Sequence, residues 1–258
     1  MELTFYKYQG TGNDFVIMDN RDGNINLTFQ QVKFLCDRKF GIGADGLMLL
    51  KSSSNYDFEM VYYNADGNEG SMCGNGGRCL VQFALDRGIK KEKYKFIATD
   101  GEHDATFSDG WINLKMKDVT EVIVDRDAYI VNTGSPHYVK PTNDVLNLNV
   151  YEEGKAIRYS DDFKEVGINV NFVEQLDEDL IRVRTYERGV ENETLSCGTG
   201  VTASALFFAQ DGLGFNRVEV TTLGGNLAVE FDKVSDNKFE NIWLCGPTKF
   251  VFTGTINV

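Results

Sequence analysis

The sequence predicts an α+β protein made of two homologous domains from an internal duplication, each a curved β-sheet wrapped around a central helix. Three observations carry that expectation. A repeat recurs at a nearly constant offset, the segments ahead of its marker alternate as strands do, and an apolar helix follows the marker directly.

The marker is a cysteine followed by glycines. Cys73 opens CGNGG and Cys197 opens CGTGV, 124 residues apart. Upstream, FEMVYYN (Phe58 to Asn64) aligns with IRVRTYE (Ile181 to Glu187) at an offset of 123. TGNDFV (Thr11 to Val16) lies over TGSPHYV (Thr133 to Val139) at 122. Downstream, ATDG (Ala98 to Gly101) matches TTLG (Thr221 to Gly224) at 123, and WINLKM from Trp111 resembles NIWLCGP from Asn241 behind a longer loop. Five matches in one order are not chance, and two repeats are too few for a solenoid. The expected domains are residues 1–121, with the first cysteine loop, and 122–258, with the second. No Pro/Gly/Ser-rich linker marks the boundary near Glu121. The sequence leaves open whether the last strand, about residues 250–258, returns to the first domain.

Each half reads as several strands and one prominent helix. Cys79, Leu80, Phe83 and Ala84 recur at helical spacing, with Gly88 as the left-handed stop. Val201 to Gln210 is apolar on nearly every side, with small residues at Ala203, Ser204, Ala205 and Ala209. A helix apolar all round is expected to be buried.

Composition narrows the function. A chain of 258 residues with 42% hydrophobic and 12% aromatic content can build a real core. Its net charge of −13 repels nucleic acid and anionic membranes. No apolar run approaches the roughly 18 residues that span a bilayer, and the first residues, MELTFYKYQG, lack the build of a signal peptide. The reading is a soluble cytoplasmic protein whose anionic substrate, if it has one, is held by local devices such as helix starts and arginines. The cysteines are Cys36, Cys73, Cys79, Cys197 and Cys245, an odd number without a CxxC pair. With His103 and His137 as the two histidines, that argues against both a disulfide framework and a metal site. Cys36, Cys79 and Cys245 read as small buried residues.

Glycines after a cysteine, then a helix, free the backbone to approach a ligand and aim unpaired N–H groups at it. The same helix start favours thiolate, lowering a thiol pKa from about 8.5 toward ~3.5–7.5. One such loop is ambiguous between an anion-binding turn and a reactive thiol. Two related by duplication, about a pseudo-twofold axis, suit inversion at a carbon next to a carboxylate. One thiolate removes the α-proton while the opposing thiol protonates the other face. The N–H groups of Gly74, Asn75, Gly198 and Thr199 are placed to hold the charge that develops. Such chemistry needs no cofactor.

Over essentially the whole chain the sequence resembles the diaminopimelate epimerase family. The residues that carry the resemblance are GTGNDFV from Gly10, GIGADG from Gly41, YNADGNEGSMCGNGGRC (Tyr63 to Cys79) and YERGVENETLSCGTG (Tyr186 to Gly200). The resemblance implies interconversion of LL- and meso-diaminopimelate without pyridoxal phosphate, on the route to lysine and to peptidoglycan precursors. It implies Cys73 and Cys197 as the acid/base pair. Asn13, Asn64, Ser135, Asn169, Glu187 and Arg188 are carried over as substrate contacts, with Gly74, Asn75, Gly198 and Thr199 as backbone donors. Arg188 is the natural fork for a distal carboxylate, and Glu187 pairs an ammonium. The implied partner is this small molecule, with no nucleic acid and no membrane, and a homodimer as the open oligomeric reading. Two positions depart from the family's pattern. Ser135 stands where many relatives have asparagine, and Gly46 where some have glutamine, so no contact is carried over at Gly46.

Blander readings stand beside these. Asn13 and Asn64 suit turns, and Asp14 and Asp66 read as turn or capping residues. His137 either orients its neighbours or is a satisfied structural histidine, and His103 reads as a surface turn residue. Rival functions are a same-fold proline racemase or hydroxyproline epimerase, a phenazine-biosynthesis isomerase, and a non-catalytic amino-acid-binding protein. CGNG with YERG favours the diaminopimelate reading.

Overall fold

Short strands separated by turn residues dominate the computed structural model, which describes residues 1–208 and 212–258. The chain forms two compact units, one of Met1–Leu114 with Pro247–Val258 and one of Lys115–Gly246.

In the first unit, β1 (Glu2–Gly10) and β2 (Asn13–Asp19) form an antiparallel hairpin. Its two-residue turn, Thr11 and Gly12, has φ of 49° and 83°. Positive φ at both central residues is the mark of a type I′ turn, whose twist matches the strands it joins. The helix α1 (Phe29–Cys36) crosses over to β3 (Gly46–Lys51), parallel to β2. Thr28 and Gln31 close a capping box at its start, satisfying two donors the helix cannot. β4 (Phe58–Asn64) returns antiparallel to β3. The second crossover holds α2 (Gly74–Asp86) and leads to β5 (Lys93–Ala98), parallel to β4. β6 (Gly101–Ser108) and β7 (Trp111–Lys115) complete an antiparallel meander.

The second unit repeats this plan. β8 (Val122–Asp125) and β9 (Ala128–Asn132) pair antiparallel, as do β9 and β10 (Pro136–Pro141). A crossover through α3 (Val150–Arg158) reaches β11 (Asn169–Asp177), parallel to β10, and β12 (Leu180–Glu187) returns antiparallel. After the short β13 (Asn192–Thr194), α4 (Gly198–Phe207) crosses to β14 (Gly214–Thr222), parallel to β12. β15 (Gly225–Ser235) and β16 (Lys238–Gly246) follow antiparallel.

The final strand, β17 (Lys249–Asn257), belongs to the first unit and pairs antiparallel with β1. It occupies on β1 the place that β8 occupies on β9, so among the described residues the two units run through eight strands in the same order and sense, the second adding the short β13.

Each central helix is the core of its unit. In α2 every residue from Gly74 to Val81 is buried, as are Phe83 and Ala84. Gly88, with φ of 95°, follows as the left-handed stop. In α4, Gly198 and Gly200 to Leu206 are buried, and the helix packs against β9, β10, β11, β12, β14, β15 and β16. That enclosure explains its all-round apolarity: no face is left for polar side chains. The expected continuation through Ala209 and Gln210 lies outside the described residues. Two glycines inside α2, Gly76 and Gly77, cost helix propensity of about 1 kcal/mol each. A side chain at either would press on its surroundings. A Cβ on Gly76 would lie 3.3 Å from Met48 Sδ, and one on Gly77 would lie 3.0 Å from Met72 Sδ.

Candidate active site

Both marker cysteines sit at the N-cap of a buried helix, Cys73 on α2 and Cys197 on α4, and neither uses its side chain to cap. The first intrahelical bonds run from Gly77 N to Cys73 O at 2.7 Å and from Val201 N to Cys197 O at 2.8 Å. The helix itself therefore leaves the N–H groups of Gly74, Asn75 and Gly76, and of Gly198, Thr199 and Gly200, to other partners. Partial positive charge at each helix start favours an anion there, whether thiolate or carboxylate.

The other thiols differ in kind. Burial, the dominant cause, pushes the Cys36 and Cys79 thiols up to about 12, which keeps them protonated at neutral pH. Cys245 is fully buried and points its sulfur at the Trp243 carbonyl, 3.7 Å away.

In the first unit the type I′ turn delivers Asn13 to Cys73. Asn13 Nδ2 donates to Asp45 Oδ2 at 2.6 Å. A carboxylate only accepts, so this bond assigns the amide's orientation and turns Asn13 Oδ1 toward the helix. That oxygen accepts from Cys73 Sγ at 3.6 Å and from Asn75 Nδ2 at 3.4 Å. Asn75 Oδ1 in turn accepts from Arg78 at 2.9 Å and from Thr11 at 3.4 Å. Arg78 is fully buried and also donates to Gly74 O at 3.2 Å.

Asp14 departs from the turn or capping role expected of it. It is the hub of an ion-pair cluster, 2.7 Å from Lys7 Nζ and 2.6 Å from Arg38, and Arg38 reaches Asp45 at 2.7 Å. Burial raises the carboxyl's pKa, but hydrogen bonds from Arg38 and Lys7 outweigh it and hold Asp14 down to about 2. Asp66 does act in a turn, accepting from Asn68 N at 2.9 Å. Asn64 ends β4 opposite Gly46, its backbone bonded to Asn68 in the same turn.

Gly46 has a physical reason to lack a side chain. A Cβ there would lie 2.6 Å from the Tyr62 ring and 2.8 Å from Tyr63 O. The Tyr62 ring takes the space that a larger residue would need.

In the second unit, Ser135, Asn169 and Arg188 come together. Asn169 Nδ2 donates to Ser135 Oγ and, at 3.0 Å, to Pro136 O, while Asn169 Oδ1 accepts from Arg188 N at 2.9 Å. The Arg188 guanidinium rests on Val166 O at 3.1 Å. Glu187 precedes it at the end of β12, half-buried.

A buried polar chain ends at Cys197. Its sulfur is 3.5 Å from Thr199 Oγ1, which is 2.9 Å from His137 Nε2. His137 Nδ1 is 3.0 Å from Asn171 Nδ2, and Asn171 Oδ1 accepts from Thr185 at 2.9 Å. Burial above all, with the nearby positive charge of Arg188, pushes the His137 pKa down to about 3 and keeps the ring neutral. His103 is not in a turn: it lies on β6, stacked on Phe96 and 3.1 Å from Asp100.

The polar residues that sequence reasoning passed over are Arg38, Asp45, Asn171 and Thr185. A signal existed for one of them. Asn169 and Asn171 are two apart in the otherwise apolar INVNFV, so both point to one face of a strand. Among the described residues no cluster of three or more His, Cys, Asp or Glu could hold a metal ion. No helix of the described residues is long and apolar enough to cross a membrane.

Comparison with known proteins agrees with this architecture. A phenazine biosynthesis protein of the PhzF family from Bacillus anthracis covers 100% of both chains with a TM-score of 0.76 at 17% identity. A hydroxyproline epimerase from Agrobacterium vitis covers 99% of this chain and 92% of its own, with a TM-score of 0.68 at 13% identity. These share the duplicated fold. The family model described as diaminopimelate epimerase matches twice, over residues 5–128 and 129–251. The diaminopimelate epimerase of Flavobacterium psychrophilum is 49% identical over 98% of this chain and 100% of its own. That of Chlorobaculum tepidum is 42% identical over 96% and 99%. The chain belongs to the diaminopimelate epimerase family.

Proposed function

We propose that this isomerase interconverts LL- and meso-diaminopimelate by proton exchange between Cys73 and Cys197, without a cofactor. One thiolate takes the α-proton, and the electron pair of the broken C–H bond moves into the carboxylate. The other thiol then delivers its proton to the opposite face. Reversal swaps the two roles, which requires chemically alike groups. The N–H groups of Gly74, Asn75, Gly198 and Thr199 stabilise the carboxylate as it gains charge. Asn13, Asn64, Ser135 and Asn169 position the substrate, Glu187 pairs an ammonium group, and Arg188 holds the distal carboxylate. The setting is the cytoplasm and lysine biosynthesis, with the small molecule as partner and a homodimer as the assembly.

The observation that carries this reading is the repeated one. Equivalent cysteines cap equivalent buried helices without spending their side chains on the cap. Cys73→Ala and Cys197→Ala are the direct test. Each is expected to fold as the parent does and to lose turnover by at least 10³-fold, on the order of what removing an essential acid or base costs. Full activity in either variant overturns the two-base reading, and binding without turnover in the parent chain would point to a receptor.

A further inference from the structure

We propose that Thr185 and Asn171 are positioning residues that, through His137 and Thr199, set Cys197 as the hydrogen-bond acceptor and so as the thiolate of the resting pair. This rests on the reading of Cys73 and Cys197 as the acid/base groups.

The donors fix the sense of each hydrogen bond along the chain. Asn171 Nδ2 lies 3.3 Å from the Tyr138 carbonyl as well as 3.0 Å from His137 Nδ1. A backbone carbonyl cannot donate, so the Asn171 atom facing it is the NH2 group. The hydroxyl of Thr185 donates to the remaining oxygen and completes the lock. His137 Nδ1 is then an acceptor. The ring is neutral, so its single proton is on Nε2, pointing at Thr199 Oγ1. Thr199 Oγ1 accepts that proton's bond and keeps its own hydrogen, which it gives to Cys197 Sγ. A hydrogen bond donated to sulfur favours thiolate. Every member except Thr199 is buried, with Asn171 and His137 fully so.

The backbone is shaped for this chain. A Cβ on Gly200 would lie 2.3 Å from Asn171 Oδ1 and 3.3 Å from the His137 ring. Glycine at that turn of α4 is what lets the amide and the imidazole reach the helix.

The first unit supplies an internal control, because the duplication preserves the positions but not the chemistry. By alignment and strand register, His137 corresponds to Phe15, Asn171 to Met48, Thr185 to Tyr62 and Gly200 to Gly76. Phe15 and Met48 are fully buried, and Tyr62 meets Phe15 edge-on. No polar relay can run through phenylalanine and methionine. At Cys73 the hydrogen bond has the opposite sense, since Asn13 Oδ1 can only accept from the thiol. The two cysteines therefore start a cycle in different states: Cys73 as acid, Cys197 as base.

The test is site-resolved alkylation of the substrate-free protein with iodoacetamide across pH, with each cysteine followed by peptide mass spectrometry. In the parent chain Cys197 is expected to titrate at lower pH than Cys73. Thr199→Val, which deletes the donor, and Asn171→Leu, which releases the histidine tautomer, should each raise the Cys197 midpoint by roughly one pH unit, about ten-fold slower reaction at a fixed lower pH. Cys73 should not move, and Thr199→Ser should restore the parent profile. The Thr199 pair decides the matter if Asn171→Leu does not fold. A Cys197 midpoint at or above that of Cys73, or one unchanged by Thr199→Val, overturns the proposal. The readout needs no turnover, so a shifted Cys197 in a protein that fails to epimerise would refute the function and leave the relay standing.

Discussion

Asp45 holds the amide of Asn13 at 2.6 Å, and through that bond decides which atom of Asn13 meets the Cys73 thiol. Without the carboxylate the amide is free to flip and present its NH2 group to the sulfur. Asp45 is 43% exposed on its side chain and shares Arg38 with Asp14, so its removal leaves the ion-pair cluster in place. Asp45→Ala is expected to keep the fold and lower kcat by about ten-fold or more, the scale of a misplaced reacting group. Steady-state kinetics with thermal denaturation checks this, and unchanged kcat contradicts it.

The glycines of the two central helices should differ in tolerance. Alanine improves helix propensity by about 1 kcal/mol over glycine. At Gly200 the new Cβ collides with the locked Asn171 amide at 2.3 Å, whereas at Gly76 it meets the end of a flexible methionine at 3.3 Å. Gly200→Ala is therefore expected to destabilise by about 1–3 kcal/mol and Gly76→Ala by less. Urea denaturation of both variants measures the difference, and equal midpoints would contradict it.

Gly46 and Tyr62 form a matched pair. Gly46→Gln should destabilise this chain because the Tyr62 ring and the Tyr63 carbonyl occupy the space beside the backbone. Shortening Tyr62 in the same molecule, as in Gly46→Gln with Tyr62→Ile, is expected to recover part of the loss. A double-mutant cycle on unfolding free energy reads the coupling directly, on the order of 0.5–3 kcal/mol for residues in contact. Additive effects would show that the ring is not what excludes the side chain.

Stability should fall with acid because of His137. The unfolded histidine takes up a proton near 6.5, while burial keeps the folded one neutral down to about 3. Between those values the unfolded state binds more protons, so stability rises with pH and is lost as pH falls through the window. The slope is about 1.4 kcal/mol per pH unit well below 6.5. Asp14 adds its own loss only below its ordinary value of 3.8, down to about 2. His137→Gln is expected to flatten the decline in denaturation midpoint between pH 6 and pH 4. Parallel declines in the two proteins would contradict it.

What the sequence revealed depended on the range of the interaction. The repeat, the alternating strands and the all-apolar α4 were legible because local periodicity writes them. Asp14 was misread because its partners, Lys7 on the preceding strand and Arg38 after α1, become neighbours only once β1, β2 and the α1 crossover have formed. The polar relay was invisible for the same reason. Its members lie on β10, β11, β12 and α4, and taken singly each looks like an ordinary strand or helix residue. Gly46 reads as a departure from the family until the Tyr62 ring, 16 residues later, is seen beside it.

The central claim, two thiols acting on one α-carbon, is tested most directly in deuterated water. The protein is incubated with LL-diaminopimelate, and label and stereochemistry are followed together at low conversion. The account predicts that meso product carries one solvent deuterium at the inverted carbon while unreacted LL-diaminopimelate keeps its hydrogen. Product that retains the original hydrogen, or substrate that gains label as fast as product, would contradict two opposed bases.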